Sequence, residues 1–232
     1  MSVMEMDLPV GPQVTPRDWQ PPARKPMEGR LVRLEPIDPA RHGVALHAAS
    51  REAPEIWTYM PYGPFDSAEA LVAWQQSFCL GDDPLFFAVC DAESGEPRGM
   101  VSFLRIVPAM GVIEIGHIWF APSLQRTPMA TEAIFLLMRE AFDGLGYRRL
   151  EWKCNDLNEK SKAAALRFGF SFEGVFRQHL IVKGRNRDSA WFALLDKDWP
   201  RVKANFERWL DPDNFDAAGD QRVSLRSLNA PA

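Results

Sequence analysis

Glu114 and His117 interrupt an otherwise apolar run, Val112-Ile113-Glu114-Ile115-Gly116-His117-Ile118-Trp119-Phe120. A carboxylate and an imidazole in apolar surroundings are groups that take up and release protons. With side chains alternating along a strand, Val112, Glu114, Gly116, Ile118 and Phe120 share one face, and Ile113, Ile115, His117 and Trp119 the other. Glu114 is the first candidate for a general base. Its alternative role is a strand carboxylate paired with an arginine. His117 is the second candidate. Strict alternation points it away from Glu114, and a β-bulge would bring it across; otherwise it is structural. Farther along, Asn158 and Ser161 offer an amide and a hydroxyl at the start of a helix. They serve either a bound ligand or the first-turn amides of that helix, where Asp156 and Glu159 also have capping-box spacing. Cys154 is either a nucleophile or, like most buried thiols, inert packing.

The segment Leu124-Gln125-Arg126-Thr127-Pro128-Met129-Ala130-Thr131-Glu132-Ala133 joins that strand to a helix predicted over 130–142. A turn opening a helix aims several free N–H groups at one point, and the positive end of the helix dipole lies there, so it suits a pyrophosphate. Pro128 fits the first helical position, where its missing N–H has no intrahelical partner. The amides of Met129, Ala130 and Thr131 stay available. An ordinary strand-to-helix turn fits the same residues.

The elements that must position these groups follow from periodicity and turn chemistry. Residues 31–35 form a first strand; 40–50 and 52–59 form short helices. Pro61-Tyr62-Gly63-Pro64-Phe65 is a loop, and 67–78 a helix capped by Asp66 or Ser67. Strands follow over 85–91, 99–106 and 112–120, joined by hairpin turns at 93–96 and 108–111. The helix after them has an apolar stripe at Ala130, Ile134, Leu137, Met138, Ala141 and Leu145, with Glu132, Arg139 and Asp143 on other faces. A buried strand over 149–153, a helix over 159–168 closed by Gly169, strands over 170–182 and 188–195 joined by a turn at Lys183–Arg187, and a last helix near 197–210 complete the chain. Residues 1–28 read as an extended, proline-rich arm, 29–210 as one domain, and 211–232 as a mobile tail.

This order, with the two motifs, resembles the GNAT superfamily of N-acetyltransferases over about residues 29–200. The superfamily's pyrophosphate loop reads Gln/Arg-x-x-Gly-x-Gly/Ala. Gln125 and Ala130 match its ends, and Pro128 stands for the central glycine. Asn158-x-x-Ser161, followed by Gly169-Phe170, resembles the Asn-x-x-Ser…Gly-Phe segment beside the pantetheine and thioester. The resemblance implies a mixed α/β (α+β) fold: a mostly antiparallel seven-stranded sheet, splayed between the fourth strand (112–120) and the fifth (149–153), with flanking helices. It implies acetyl-CoA as co-substrate, contacted by Ile118, Trp119, Phe120, Gln125, Arg126, Thr127, Met129, Ala130, Thr131, Asn158 and Ser161. It places Glu114 as base for an acceptor amine. The superfamily's usual tyrosine falls at Ala165, which leaves Ser161 to protonate the thiolate, as in the ribosomal-protein N-terminal acetyltransferase branch. Trp57, Tyr59 and Tyr62 fall on one expected acceptor wall. Arg177 and His179 fall on the other, with the basic turn containing Lys183, Arg185 and Arg187. These basic side chains suit a carboxylate or phosphate on the acceptor, or form a solvated turn.

Composition narrows the class. The 232 residues are 46% hydrophobic and 25% charged, enough apolar mass for a sizeable core, with a net charge of -4 that offers no general attraction to nucleic acid. Three cysteines without pair or metal spacing suit a reducing cytoplasm. His42, His47 and His179 lack ligand-spaced partners, so no metal is expected. The opening MSVMEMDLPVGPQ has no signal-peptide pattern, and no run is long enough to span a membrane. A monomer or homodimer is expected. The predicted activity is acetyl transfer to a primary amine, in one reading a protein N-terminal α-amine. The alternatives are a small-molecule acceptor (an amino acid, a polyamine or an antibiotic) and a non-catalytic acyl-CoA-binding module.

Overall fold

The computed structural model describes residues 8–230. Eight strands form one sheet: β1 (Met27–Glu28), β2 (Val32–Pro36), β3 (Leu85–Asp91), β4 (Pro97–Val107), β5 (Val112–Phe120), β6 (Arg149–Asn155), β7 (Ser171–Val182) and β8 (Arg185–Leu195). Their order is β1-β2-β3-β4-β5-β6-β8-β7. Only β5 and β6 pair in parallel. The sheet thus has eight strands rather than seven; the extra one is the two-residue β1, too short to show a period.

β3 explains the layering. Leu85, Phe87 and Val89 enter one core, Phe86, Ala88 and Cys90 the other, and all six are buried. A strand covered on both faces reads as a continuous apolar run. Helices α1 (Pro39–Arg51) and α2 (Ala68–Phe78) cover one face. On the other, α3 (Pro128–Arg139) and α5 (Trp199–Leu210) bring Ile134, Leu137 and Phe206 into the larger core. α4 (Glu159–Arg167) precedes β7.

Several local expectations change. The helix expected over 52–59 is a 3-10 turn, Pro54–Trp57, because a residue before proline is disfavoured in α geometry. α3 starts at Pro128 with Thr127 as N-cap and passes into a π-helical turn at Glu140–Gly144. Glu132 is buried rather than on an open face. Its carboxylate accepts from the backbone N–H of Arg30 (3.0 Å), Leu31 (2.6 Å) and Val32 (2.9 Å), which ties the entry of β2 to α3. Gly29 leaves room for it, since a Cβ there would lie 2.5 Å from Glu132 Oε2.

The turn between β7 and β8 is only Lys183-Gly184, both with positive φ (49° and 70°). Val182 pairs with Arg185, so Arg185 and Arg187 are strand residues. A two-residue hairpin with both residues left-handed matches strand twist.

Segments near both ends of the described residues pack on the domain. In the arm, Trp19 Nε1 donates to the Gly146 carbonyl at 2.6 Å. Residues 211–230 are held where a mobile tail was expected: Leu225, in α6 (Leu225–Leu228), is fully buried, and Asn229 Nδ2 donates to the Arg167 carbonyl at 3.0 Å. Residues 1–7 and 231–232 of the expected arm and tail lie outside the described residues. No helix among the described residues is long and apolar enough to cross a membrane.

Candidate active site

The parallel ladder between β5 and β6 runs from Val112/Arg149 to Ile115/Trp152 and stops. β5 continues to Phe120 and β6 to Asn155 without pairing to each other. Beyond Ile115, the β5 backbone groups facing away from β4 have no strand opposite, so an extended ligand can take those hydrogen bonds. A cleft of about 240 Å³ opens at this point.

Glu114 lines the cleft and is 5% exposed. Its Oε2 is 2.8 Å from Lys153 Nζ and 3.4 Å from Arg105 Nε. Lys153 also meets Glu151 at 2.7 Å and lies 3.7 Å from the Trp191 ring centroid. Pairing with an arginine is therefore real here, but it occupies one oxygen; Oε1 has no protein partner among the described residues. Burial raises the Glu114 carboxyl above its ordinary value, and the Lys153 ammonium opposes this without cancelling it.

His117 sits on a β-bulge. Between Ser102/Gly116 and Met100/Trp119 the β5 side carries one extra residue, and His117 has φ +50°. The bulge brings His117 to the cleft that Glu114 lines. Its Nδ1 is 3.1 Å from the Tyr62 hydroxyl, and burial with the nearby Arg187 charge lowers it to about 4. An imidazole so hard to protonate is a weak base at neutral pH.

Asn158 is the N-cap of α4, accepting from Ser161 N at 3.1 Å. Ser161 Oγ accepts from Trp152 Nε1 at 3.0 Å, and its hydroxyl also hydrogen-bonds the Cys154 thiol. Both residues line the cleft. Cys154 also lines it, but burial raises its thiol, which disfavours the nucleophilic thiolate.

In the turn, Thr127 Oγ1 accepts from Ala130 N at 3.3 Å, and Thr131 N reaches Thr127 O at 3.4 Å. Met129 N has no acceptor among the described residues. Arg126 is exposed at φ +62°, and Gln125 Nε2 donates to the Phe120 carbonyl at 2.8 Å. Ala130 and Thr131 are buried. Ile118 lines the cleft, whereas the Trp119 ring lies in the core under α1 and α2 and Phe120 packs on the larger core.

The acceptor-wall residues divide. Tyr59 and His179 line the cleft, with Tyr59 donating to the Leu157 carbonyl and His179 Nδ1 2.9 Å from Ser189 Oγ. Tyr62 supports His117 from behind. Trp57 is a core residue at 2% exposure; only its carbonyl turns outward, to Lys183 Nζ at 2.9 Å. Arg177 is exposed and outside the cleft lining, because a bulge between Phe176 and Leu180 turns that part of β7. Lys153, Arg105 and the strand position of Arg187 were not foreseen. Lys153 carried a weak signal, a charge in an otherwise half-buried strand.

His42 has metal-type neighbours after all: Glu35, His42 and Cys90 bring ligand atoms within 4.8 Å of one another. Sequence spacing hides this, since strand pairing assembles it. Hydrogen bonding accounts for the group. His42 Nδ1 accepts from Asp38 N at 3.1 Å, so the neutral ring carries its proton on Nε2 and donates to Glu35. Arg33 and Arg41 also pair with Glu35.

Comparison with known proteins agrees with this architecture. Residues 32–171 match the acetyltransferase (GNAT) domain family. A crystal structure of a GCN5-related N-acetyltransferase from Brucella melitensis is 48% identical, covers 91% of this chain and 97% of its own, and superposes with a TM-score of 0.89. A Bacillus subtilis protein with the provisional name ribosomal N-acetyltransferase is 33% identical over 47% of this chain. The Escherichia coli ribosomal-protein-serine acetyltransferase is 35% identical over 34% of it. The chain spans 59% and 44% of the lengths of these two curated relatives. The match over most of the sheet, with the β5–β6 splay and α3 turn in place, means that this chain belongs to the GNAT acetyltransferase family.

Proposed function

We propose that the chain is a cytoplasmic, acetyl-CoA-dependent N-acetyltransferase acting on a primary amine, in the manner of the ribosomal-protein N-terminal acetyltransferases. The observation that carries this is the cleft at the β5–β6 splay, where Glu114, Ser161 and the unpaired β5 edge converge. Acetyl-CoA lies along that edge, with its pyrophosphate at the α3 N-terminus near Gln125, Arg126, Thr127 and Met129. The names of the bacterial relatives support a ribosomal protein as acceptor.

The reaction is direct attack in a ternary complex. The acceptor ammonium gives one proton to Glu114, through Oε1 or a water, and the amine nitrogen bonds to the thioester carbon. A β5 backbone amide near Trp119 holds the oxyanion. The C–S bond breaks, Ser161 donates its proton to the departing thiolate, and the nitrogen's second proton restores the Ser161 hydroxyl. The products are the amide, CoA thiol and one proton on Glu114.

The test is thiol release from acetyl-CoA with N-terminal peptides of ribosomal proteins and, separately, pooled small amines. Release with peptides alone supports the reading; release with small amines alone moves the acceptor to that class. No release with either would falsify acetyl transfer.

A further inference from the structure

Arg187 is the least satisfied charge in the cleft. It sits on β8 opposite Leu180, and its side chain lines the cleft together with Glu114, Lys153 and His179. It joins no ion pair among the described residues, and its buried Nε has no hydrogen-bond partner. Buried arginines are normally held by a carboxylate or by several acceptors, because taking the charge from water is costly.

The charges around it do not cancel. Glu114 is shared by Lys153 and Arg105, and Lys153 is in turn shared with Glu151. Arg187 remains as an uncompensated positive charge, in a chain whose net charge is -4. An amine arrives as an ammonium, and a cleft with surplus positive charge repels it. An acceptor that also carries an anionic oxygen group removes the repulsion and fills the guanidinium's donors.

We propose that Arg187 is the acceptor-side anchor: it binds a carboxylate or phosphate carried by the amine substrate next to the amine that is acetylated. This rests on the acetyl-transfer reading. His179, held by Ser189 on the same wall, stands beside the anchored group. Carboxylate and phosphate share the oxygen geometry that a guanidinium fork recognises.

The experiment uses the full chain, acetyl-CoA and three peptides: Ser-Glu-Ala, Ser-phosphoserine-Ala and the neutral Ser-Gln-Ala, each amidated at its C-terminus. Wild type should favour one or both acidic peptides over the neutral one by about tenfold or more in kcat/KM, mainly through KM. The preferred peptide identifies carboxylate or phosphate. Arg187→Gln should bring the acidic-to-neutral ratio to near one, and Arg187→Lys should give an intermediate ratio. Calorimetric binding of the N-acetylated product peptides should show the same pattern without turnover.

No acidic preference in wild type, or an undiminished preference in Arg187→Gln, would overturn the anchor. If Arg187→Gln does not fold, Arg187→Lys and the wild-type ligand comparison decide. Transfer that ignores peptide charge sinks this proposal and leaves acetyl transfer standing. Charge-dependent product binding through Arg187 without any turnover does the reverse.

Discussion

The role proposed for Glu114 as base rests on one carboxylate oxygen being pinned while the other is left over. Lys153 and Arg105 both hold Oε2, and burial keeps the carboxyl above its ordinary value. The reactive form is the deprotonated one, so kcat/KM should rise with pH through that raised value. Glu114→Gln should lower kcat/KM by about 10²-fold and remove this acidic limb from the pH–rate profile. An identical limb in the variant would assign the base elsewhere. His117 carries a different consequence. It is neutral in the folded protein down to about 4, against an ordinary 6.5. Below 6.5 the unfolded chain therefore binds a proton that the folded chain does not. Stability should fall as pH drops from about 6.5 to 4, by about 3 kcal/mol from this group. Denaturant titrations at several pH values should show a shallower loss in His117→Gln.

At the scale of elements, α3 does two jobs. Its N-terminus is closed by Thr127 and Pro128 with Met129 N left open, and its second turn carries Glu132 into the β1–β2 junction. Glu132→Ala strands three amides in a partly buried place and should cost about 2–4 kcal/mol by chemical denaturation. The α3 turn should be probed at Arg126 rather than at buried Ala130. Arg126→Glu puts a negative charge on an exposed side chain at the proposed pyrophosphate site. It should weaken acetyl-CoA about tenfold or more by calorimetry while the melting temperature holds. Unchanged affinity would move the pyrophosphate away from this turn.

For the whole molecule, the decisive fact is how the C-terminal half returns. β8 enters between β6 and β7 and lays Trp191 and Ser189 opposite Lys153 and Asn155 of β6, with Arg187, opposite Leu180 of β7, lining the same cleft. The last residues then close over α4 and α5, with Asn205 Nδ2 donating to the Leu228 carbonyl at 2.9 Å. Leu225 is the plug of this closure. Leu225→Ala should destabilise the protein by about 2–5 kcal/mol, read as a shift in denaturation midpoint. A shift under about 0.5 kcal/mol would mean that the C-terminal residues add little to the fold.

Sequence alone determined the features whose causes are local. The strands over 85–91 and 112–120 were legible to the residue, the first as a continuous apolar run and the second by its alternation. Ser67 at a helix cap, Pro128 fitted to a first turn, and the Asn158–Ser161 pair at a helix start follow from chemistry within a few residues. The order of the seven longer strands and the place of the splay came through because strands and helices alternate in a recognisable sequence, whereas the two-residue β1 did not. Tertiary structure alone decided which oxygen of Glu114 is free, since the parallel register of β5 and β6 brings Lys153 to it. It also decided that Arg187 faces the cleft, that Trp57 is core, that Glu132 is buried and that residues 211–230 pack. Each of these depends on registers, bulges and contacts between segments far apart in the chain. A side-chain period carries no information about which strand lies opposite, or about where a bulge turns a residue from one face to the other.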